Sequence, residues 1–125
     1  MAYAWQMARE VEALVAEEGP PDCIEAQEYN AIATYVMEDR LQRSGYLAET
    51  TILLTLHSPD FLLQSVNGQD SYAFPAYWRG WMERQAIIRA DALLCPSTWL
   101  AASARAEMGV QLPIEIIPCP MDPDY

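Results

Sequence analysis

The sequence predicts an α/β fold in which a doubly wound parallel sheet carries helices on both faces. Residues 50–56 form an apolar run without polar alternation, which is typical of a strand buried on both sides. Helical and strand patterns then alternate along the chain, giving about four strands with flanking helices. At 125 residues and 52% hydrophobic composition, the chain is long enough to bury one core and no more.

The first part of the chain contains two predicted helices and one predicted strand. Apolar side chains recur on one face of residues 3–18, which predicts an amphipathic helix. Residues 22–26 form a short strand candidate, and a second helix is expected from a cap at or near Asn30 to about Arg43, closed by Gly45. Because the first helix has no strand before it, we expect the chain to begin partway through a doubly wound domain. The strand at 22–26 would then lie at an apolar sheet edge.

The second part repeats this alternation after a long irregular segment, residues 58–75, which we expect to be functional or to carry short structure of its own. The remaining elements are predicted as a helix over residues 76–89, a strand over 91–95, a helix over 98–108 that ends at Gly109, and a strand over 114–117.

The charge and the cysteines exclude several classes of function. The net charge is −11, with seven arginines and no lysine, so the chain would repel a phosphate backbone and nucleic acid is not an expected partner. Three cysteines without CxxC spacing indicate neither a disulfide framework nor a zinc site, and no other metal site is expected. We expect these thiols to be reduced and mostly buried. No apolar run reaches the length of a membrane span and no signal peptide is evident, so a cytoplasmic location is expected.

His57 is the most prominent candidate for chemistry. It is the only histidine, and it stands where the apolar strand ends, at the edge of the sheet where ligands bind in open α/β folds. Glu25 and Glu28 follow the neighbouring strand. They could act as a general acid and base, or they could be a solvated strand end and a first-turn acid favoured by the helix dipole.

Two other groups have simpler interpretations. Trp78, Trp81 and Met82 stand at helical spacing, which indicates core packing more than a platform for stacking sugars. Cys95 follows a strand, yet no glycines of a nucleophile elbow flank it, so a catalytic thiol is not expected.

Several motifs in a fixed order carry a family resemblance. These are PDCI at residues 21–24, TLH at 55–57, RADALLCPSTW at 89–99, EMG at 107–109 and IEIIPCPMD at 114–122. The series resembles the second half of the N-terminal domain of glycosyltransferase family 4 enzymes, which have the two-domain GT-B fold. The resemblance implies a Rossmann-like, partial acceptor-side domain over residues 1–125, with the interdomain hinge starting at 118–125 and marked by Asp122.

The resemblance also implies a reaction. A sugar would pass from a nucleotide-sugar, as donor substrate, to a sugar or lipid acceptor with retention at the anomeric carbon, without a resident cofactor. His57 would face the donor sugar and the acceptor as a catalytic, positioning residue, and Glu25, Glu28 and Ser58 become candidate acceptor contacts. The family's glycine-rich loop and its C-terminal domain are missing, so the chain alone is expected to be inactive. The alternative is a free-standing binding or interaction module with the same strand pattern.

Overall fold

The computed structural model describes residues 2–42, 46–70 and 72–120, and its elements follow the predicted order with two short helical elements in addition. They are, in chain order, α1 (Ala2–Glu18), β1 (Cys23–Gln27), a 3₁₀ turn (Tyr29–Ala31), α2 (Thr34–Leu41), β2 (Thr51–Thr55), α3 (Asp60–Val66), α4 (Ala76–Arg89), β3 (Ala92–Cys95), α5 (Thr98–Met108) and β4 (Ile114–Ile116).

The four strands form one sheet in the order β1-β2-β3-β4, and every neighbouring pair is parallel. Gln27 lies opposite Thr55, and Thr55 lies opposite Leu94. The carboxyl ends of the strands therefore share one edge of the sheet. The predicted Rossmann-like parallel sheet with flanking helices is confirmed.

The helices form one connected layer over a single face of the sheet. α1 packs on α2, α2 on α4, and α3 on both α4 and α5. Ile52 and Leu54 of β2 are buried beneath this layer, whereas Leu53 and Thr55 on the other face are half-buried. Two predictions are therefore wrong: that this strand is buried on both faces, and that helices cover both faces of the sheet. Since consecutive strands are neighbours, crossovers of one hand place their helices on the same side.

The entry to α2 differs from the prediction. Asn30 is not its N-cap, because the backbone there turns through left-handed geometry, with φ of 54° at Asn30 and 56° at Ala31. α2 then begins at Thr34 behind Ala33, which makes no side-chain cap. The predicted end of this helix at residues 43–45 lies outside the described residues. α3 occupies part of the segment expected to be irregular.

Both ends of α5 form as the sequence indicates. The hydroxyl of Ser97 accepts a hydrogen bond from the backbone N–H of Leu100 at 3.2 Å, which satisfies a donor of the first turn. Gly109 ends the helix with φ of 68°, a left-handed conformation that glycine adopts at no steric cost.

At the amino end of the sheet, Asp91 ties three elements together. Its carboxylate accepts the backbone N–H of Ile52 at 2.7 Å and pairs with Arg40, which also donates to the carbonyl of Thr50 at 3.2 Å. Burial opposes ionisation of Asp91, but the hydrogen bonds from Arg40 and Ile52 outweigh it and hold the pKa of this carboxyl below its usual value. α2, β2 and β3 are thus joined through one carboxylate.

Replacing Asp91 with alanine is expected to lower the free energy of unfolding by about 1–3 kcal/mol, because Arg40 and a strand N–H lose a charged acceptor. Urea unfolding near neutral pH measures the effect. Asp22→Ala, at an exposed position just before β1, is the matched control and should change stability little. Equal losses in the two variants would contradict this role of Asp91.

Candidate functional site

The candidate site lies at the carboxyl ends of β1 and β2. Residues 57–60, here called the β2 loop, leave the sheet directly after Leu56, whose N–H donates to the carbonyl of Leu94 on β3 at 2.8 Å. His57 is exposed at the start of this loop and Ser58 is half-buried. The backbone is therefore fixed at the sheet while the imidazole faces solvent.

Glu28 holds the start of the β2 loop from beneath. One of its carboxylate oxygens, Oε1, accepts the backbone N–H groups of His57 at 2.9 Å and of Ser58 at 2.5 Å. The residue is 0% exposed, and its own N–H donates to the carbonyl of Thr55 at 3.4 Å. The other oxygen, Oε2, is buried without a protein partner. Because a buried carboxylate is costly unless it is hydrogen-bonded, this contact fixes the peptide planes that carry His57 and Ser58.

A second buried carboxylate holds the end of the same loop. Glu83 on α4 accepts the backbone N–H of Asp60 at 2.7 Å. The carboxylate of Asp60 in turn accepts hydrogen bonds from Arg79 at 2.5 Å and from Gln64 at 3.3 Å. The β2 loop is therefore held at its first and last residues by side chains from two different elements.

α4 can reach the loop because Gly80 allows it to pack closely on α3. A Cβ atom at Gly80 would lie 3.1 Å from the ring of Phe61. The absence of a side chain there brings the helix that carries Arg79 and Glu83 against the start of α3, where Asp60 lies.

The environment of Glu83 favours its neutral form. Burial raises its pKa from 4.5 to about 8, and the negative charges of Asp60 and Glu28 add to this, against the lowering effects of the Asp60 N–H and of Arg79. Because the carboxyl of Glu83 is protonated near neutral pH, it adds no negative charge beneath the β2 loop.

The structure brings together three of the predicted site residues and separates a fourth. Glu28, His57 and Ser58 are in direct contact through the backbone of the β2 loop. Glu25 is exposed on β1 and accepts a hydrogen bond from the hydroxyl of Thr55 at 3.1 Å. Glu28 has no exposed surface that a ligand could contact, and it acts on the site only through its hydrogen bonds to the β2 loop. Asp122, predicted to mark the hinge, lies outside the described residues.

Three supporting residues were not predicted from the sequence: Asp60, Arg79 and Glu83. A signal for one of them was present, because Glu83 falls on the same stripe of α4 as Met82, Ala86 and Ile87, which are buried. A glutamate within a buried helical stripe indicates a carboxylate that needs an internal partner. The sequence contains no comparable signal for the pairing of Arg79 with Asp60.

The thiols are arranged differently from the prediction. Cys95 is buried and its Sγ contacts the carbonyl of Ser97 at 3.2 Å, but Cys23 and Cys119 are exposed. The expectation of mostly buried thiols is therefore wrong for two of the three. β1 lies at the edge of the sheet and Cys119 follows β4, so neither position is covered by the helical layer.

Across residues 2–42, 46–70 and 72–120, no three His, Cys, Asp or Glu side chains cluster so that they could hold a metal ion. None of the helices in this described part is long and apolar enough to cross a membrane.

Replacing Glu28 with alanine should leave the N–H groups of His57 and Ser58 without their acceptor. We expect a loss of about 2–4 kcal/mol in the free energy of unfolding and a shift of the imidazole C–H signals in NMR spectra. Those signals are assigned without ambiguity because the chain has one histidine. Glu25→Ala is the matched control, and an equal effect from it would contradict the role given to Glu28.

The stability of the fold should fall as pH rises through the titration of Glu83. Because its pKa is raised from 4.5 to about 8, the folded chain holds a proton that the unfolded chain has released. The stabilisation that this bound proton gives the fold is complete below pH 4.5 and is lost as the pH passes through about 8. Glu83→Gln keeps an acceptor for Asp60, so we expect it to be more stable than the wild type at about pH 9, by on the order of a few kcal/mol. Urea unfolding between about pH 5 and pH 9 measures this, with exposed Glu17→Gln as control.

Comparison with known proteins identifies the family of the chain. The sequence model described as Glycosyltransferase Family 4 matches residues 1–125, the whole of the chain. No match is found among the curated proteins. The parallel α/β sheet is consistent with the N-terminal domain of a GT-B enzyme. The chain therefore belongs to glycosyltransferase family 4, a family defined by glycosyl transfer.

Proposed function

We propose that the chain is the acceptor-side part of a retaining glycosyltransferase that uses a nucleotide-sugar donor. The observation that carries this proposal is the exposed imidazole of His57, held at the carboxyl edge of a parallel sheet by the buried carboxylate of Glu28. This is the edge at which open α/β sheets bind their ligands.

In this reaction the bond between the anomeric carbon and the donor phosphate breaks, and a bond to an acceptor oxygen forms. A nucleoside diphosphate leaves, and its newly freed phosphate oxygen takes the proton of the acceptor hydroxyl. His57 hydrogen-bonds a sugar hydroxyl and fixes the reacting geometry, which is a positioning role rather than that of a nucleophile. Ser58, half-buried next to it, is a candidate acceptor contact. Glu25 is a further one, because its exposed carboxylate can accept hydrogen bonds from acceptor hydroxyls.

Glu28 and Glu83 contribute indirectly to the positioning of the sugar by His57. A loop held at both ends presents His57 in one orientation before the substrate arrives, so less conformational entropy is lost on binding. We therefore assign Glu28 to positioning the β2 loop.

The donor side of the reaction is proposed to come from a second domain. The chain has a net charge of −11 and no lysine, so it offers few cationic groups that could hold a diphosphate. For this reason we expect the 125 residues alone to transfer no sugar.

The proposal is tested by a transfer assay on two proteins: this chain and the product of the entire reading frame in which it occurs. Each is incubated with UDP-glucose or GDP-mannose and simple glycan or lipid acceptors. Release of nucleoside diphosphate is measured, and the anomeric configuration of the product is read by proton NMR. We expect transfer with retention from a product that includes a donor-binding domain and none from this chain.

His57→Ala in the active protein should lower kcat about 100-fold, because a positioned hydrogen-bonding group is lost. Ser58→Ala should raise KM by about tenfold or less, the effect of one hydrogen bond. Glu17→Ala on the exposed face of α1 is the control with unchanged activity. Full activity in His57→Ala, or an inverted product, would refute the proposed mechanism. A reading frame that ends with this chain and shows no transfer would favour the binding-module alternative.

A further inference from the structure

We propose that the outer surface of α1, α2, α3 and α4 binds a neutral oligosaccharide. Its centre is a row of aromatic side chains, here called the aromatic surface, which comprises Trp5, Tyr72, Tyr77, Trp78 and Trp81. No step of the proposed transfer reaction uses these residues. The inference therefore goes beyond the proposed function and can hold or fail independently of it.

Four of these five rings are too exposed to belong to the core, and Tyr77 is half-buried. Trp78 is 47% exposed and Trp81 is 40% exposed, so the expectation that they are core residues is wrong, and only Met82 of that set is buried. Tyr72 is 82% exposed and Trp5 is 55% exposed. Because α4 packs against the sheet side with one stripe only, the residues on its opposite side face solvent.

The rings hold one another in fixed orientations. The centroids of Trp78 and Trp81 lie 6.0 Å apart with the ring planes at 79°. Tyr77 meets Trp78 edge to face at 5.7 Å, and Tyr72 stacks on Tyr77 at 6.0 Å. An edge-to-face contact covers one face of one of the two rings and limits the rotation of both, so the other faces of the pair are not covered by the contact. Such pre-arranged faces suit the apolar C–H faces of sugar rings, which stack on aromatic rings.

Trp81 separates two grooves that lie side by side. The first, of about 430 Å³, runs between α1, α2 and α4 and includes Trp5 and Trp78. The second, of about 460 Å³, lies between α3, α4 and the end of α5 and includes Tyr72 and Tyr77. Because Trp81 lines both, an elongated ligand could pass over its ring and occupy each groove. An oligosaccharide has this shape and a single sugar does not.

The polar groups around the first groove favour an uncharged ligand that is rich in hydroxyls. Arg9 pairs with Asp39 at 2.6 Å, and Arg89 pairs with Glu38 at 2.6 Å, so each carboxylate at this groove stands beside a guanidinium. Paired groups of both signs can accept from and donate to sugar hydroxyls without requiring a charged ligand. The net charge of −11 disfavours anionic glycans and anionic lipid surfaces.

The experiment is a titration of the 125-residue chain with maltohexaose and with cellohexaose, followed by tryptophan fluorescence. We expect saturable binding of at least one hexasaccharide and much weaker binding of glucose. Trp81→Ala should weaken binding at least about tenfold, since it removes the ring shared by the two grooves. Trp99→Ala is the matched control, because Trp99 is 60% exposed on α5 and lines neither groove.

Circular dichroism and thermal unfolding check that each variant is folded. If Trp81→Ala does not fold, Trp5→Ala provides a second variant on a different helix. Trp5→Ala should also weaken binding, while Trp99→Ala should not. Absence of binding to both hexasaccharides overturns the proposal, as does equal weakening by Trp81→Ala and Trp99→Ala. Binding to phosphatidylcholine vesicles without binding to either hexasaccharide would also overturn it, in favour of a lipid surface.

Discussion

The fully buried carboxylate of Glu28 is the interaction on which the candidate site depends. A charge in the interior is costly unless hydrogen bonds replace its hydration, and here two consecutive N–H groups of the β2 loop provide them. The requirement acts in both directions. The carboxylate needs the loop in this conformation, and the loop's donors need the carboxylate. The end of β1 and the exit from β2 are thereby fixed relative to each other.

The short strands explain why charged side chains matter at both ends of the sheet. β3 and β4 contain four and three residues, so the ladders alone provide few hydrogen bonds. At the amino end, Arg40 and Asp91 join α2 to β2 and β3. At the carboxyl end, Glu28, Asp60 and Glu83 hold the β2 loop. The first group stabilises the sheet, while the second also determines how His57 is presented.

A single layer of helices leaves two surfaces that composition could not reveal. One is the second face of the sheet, where Leu53 and Leu94 are only half-buried. The other is the aromatic surface on the far side of the helices. A helix with aromatic residues at helical spacing has the same sequence pattern whether those residues face the sheet or solvent, and the difference depends on which stripe packs inward. In α4 that stripe is the one with Met82, Ala86 and Ile87.

The sequence by itself determined the order and type of the elements other than the 3₁₀ turn and α3, the bounds of α4 and α5, and the position of His57 at the end of a strand. These follow from local periodicity, capping and the parallel arrangement, which depend on residues close together in the chain. Only the tertiary structure decided that Glu28 is buried under the loop, that Asp60 pairs with Arg79, and that one face of the sheet is open. Those outcomes depend on contacts between residues 19 to 30 positions apart, such as Arg79 with Asp60 and Ser58 with Glu28, and local patterns do not specify such contacts.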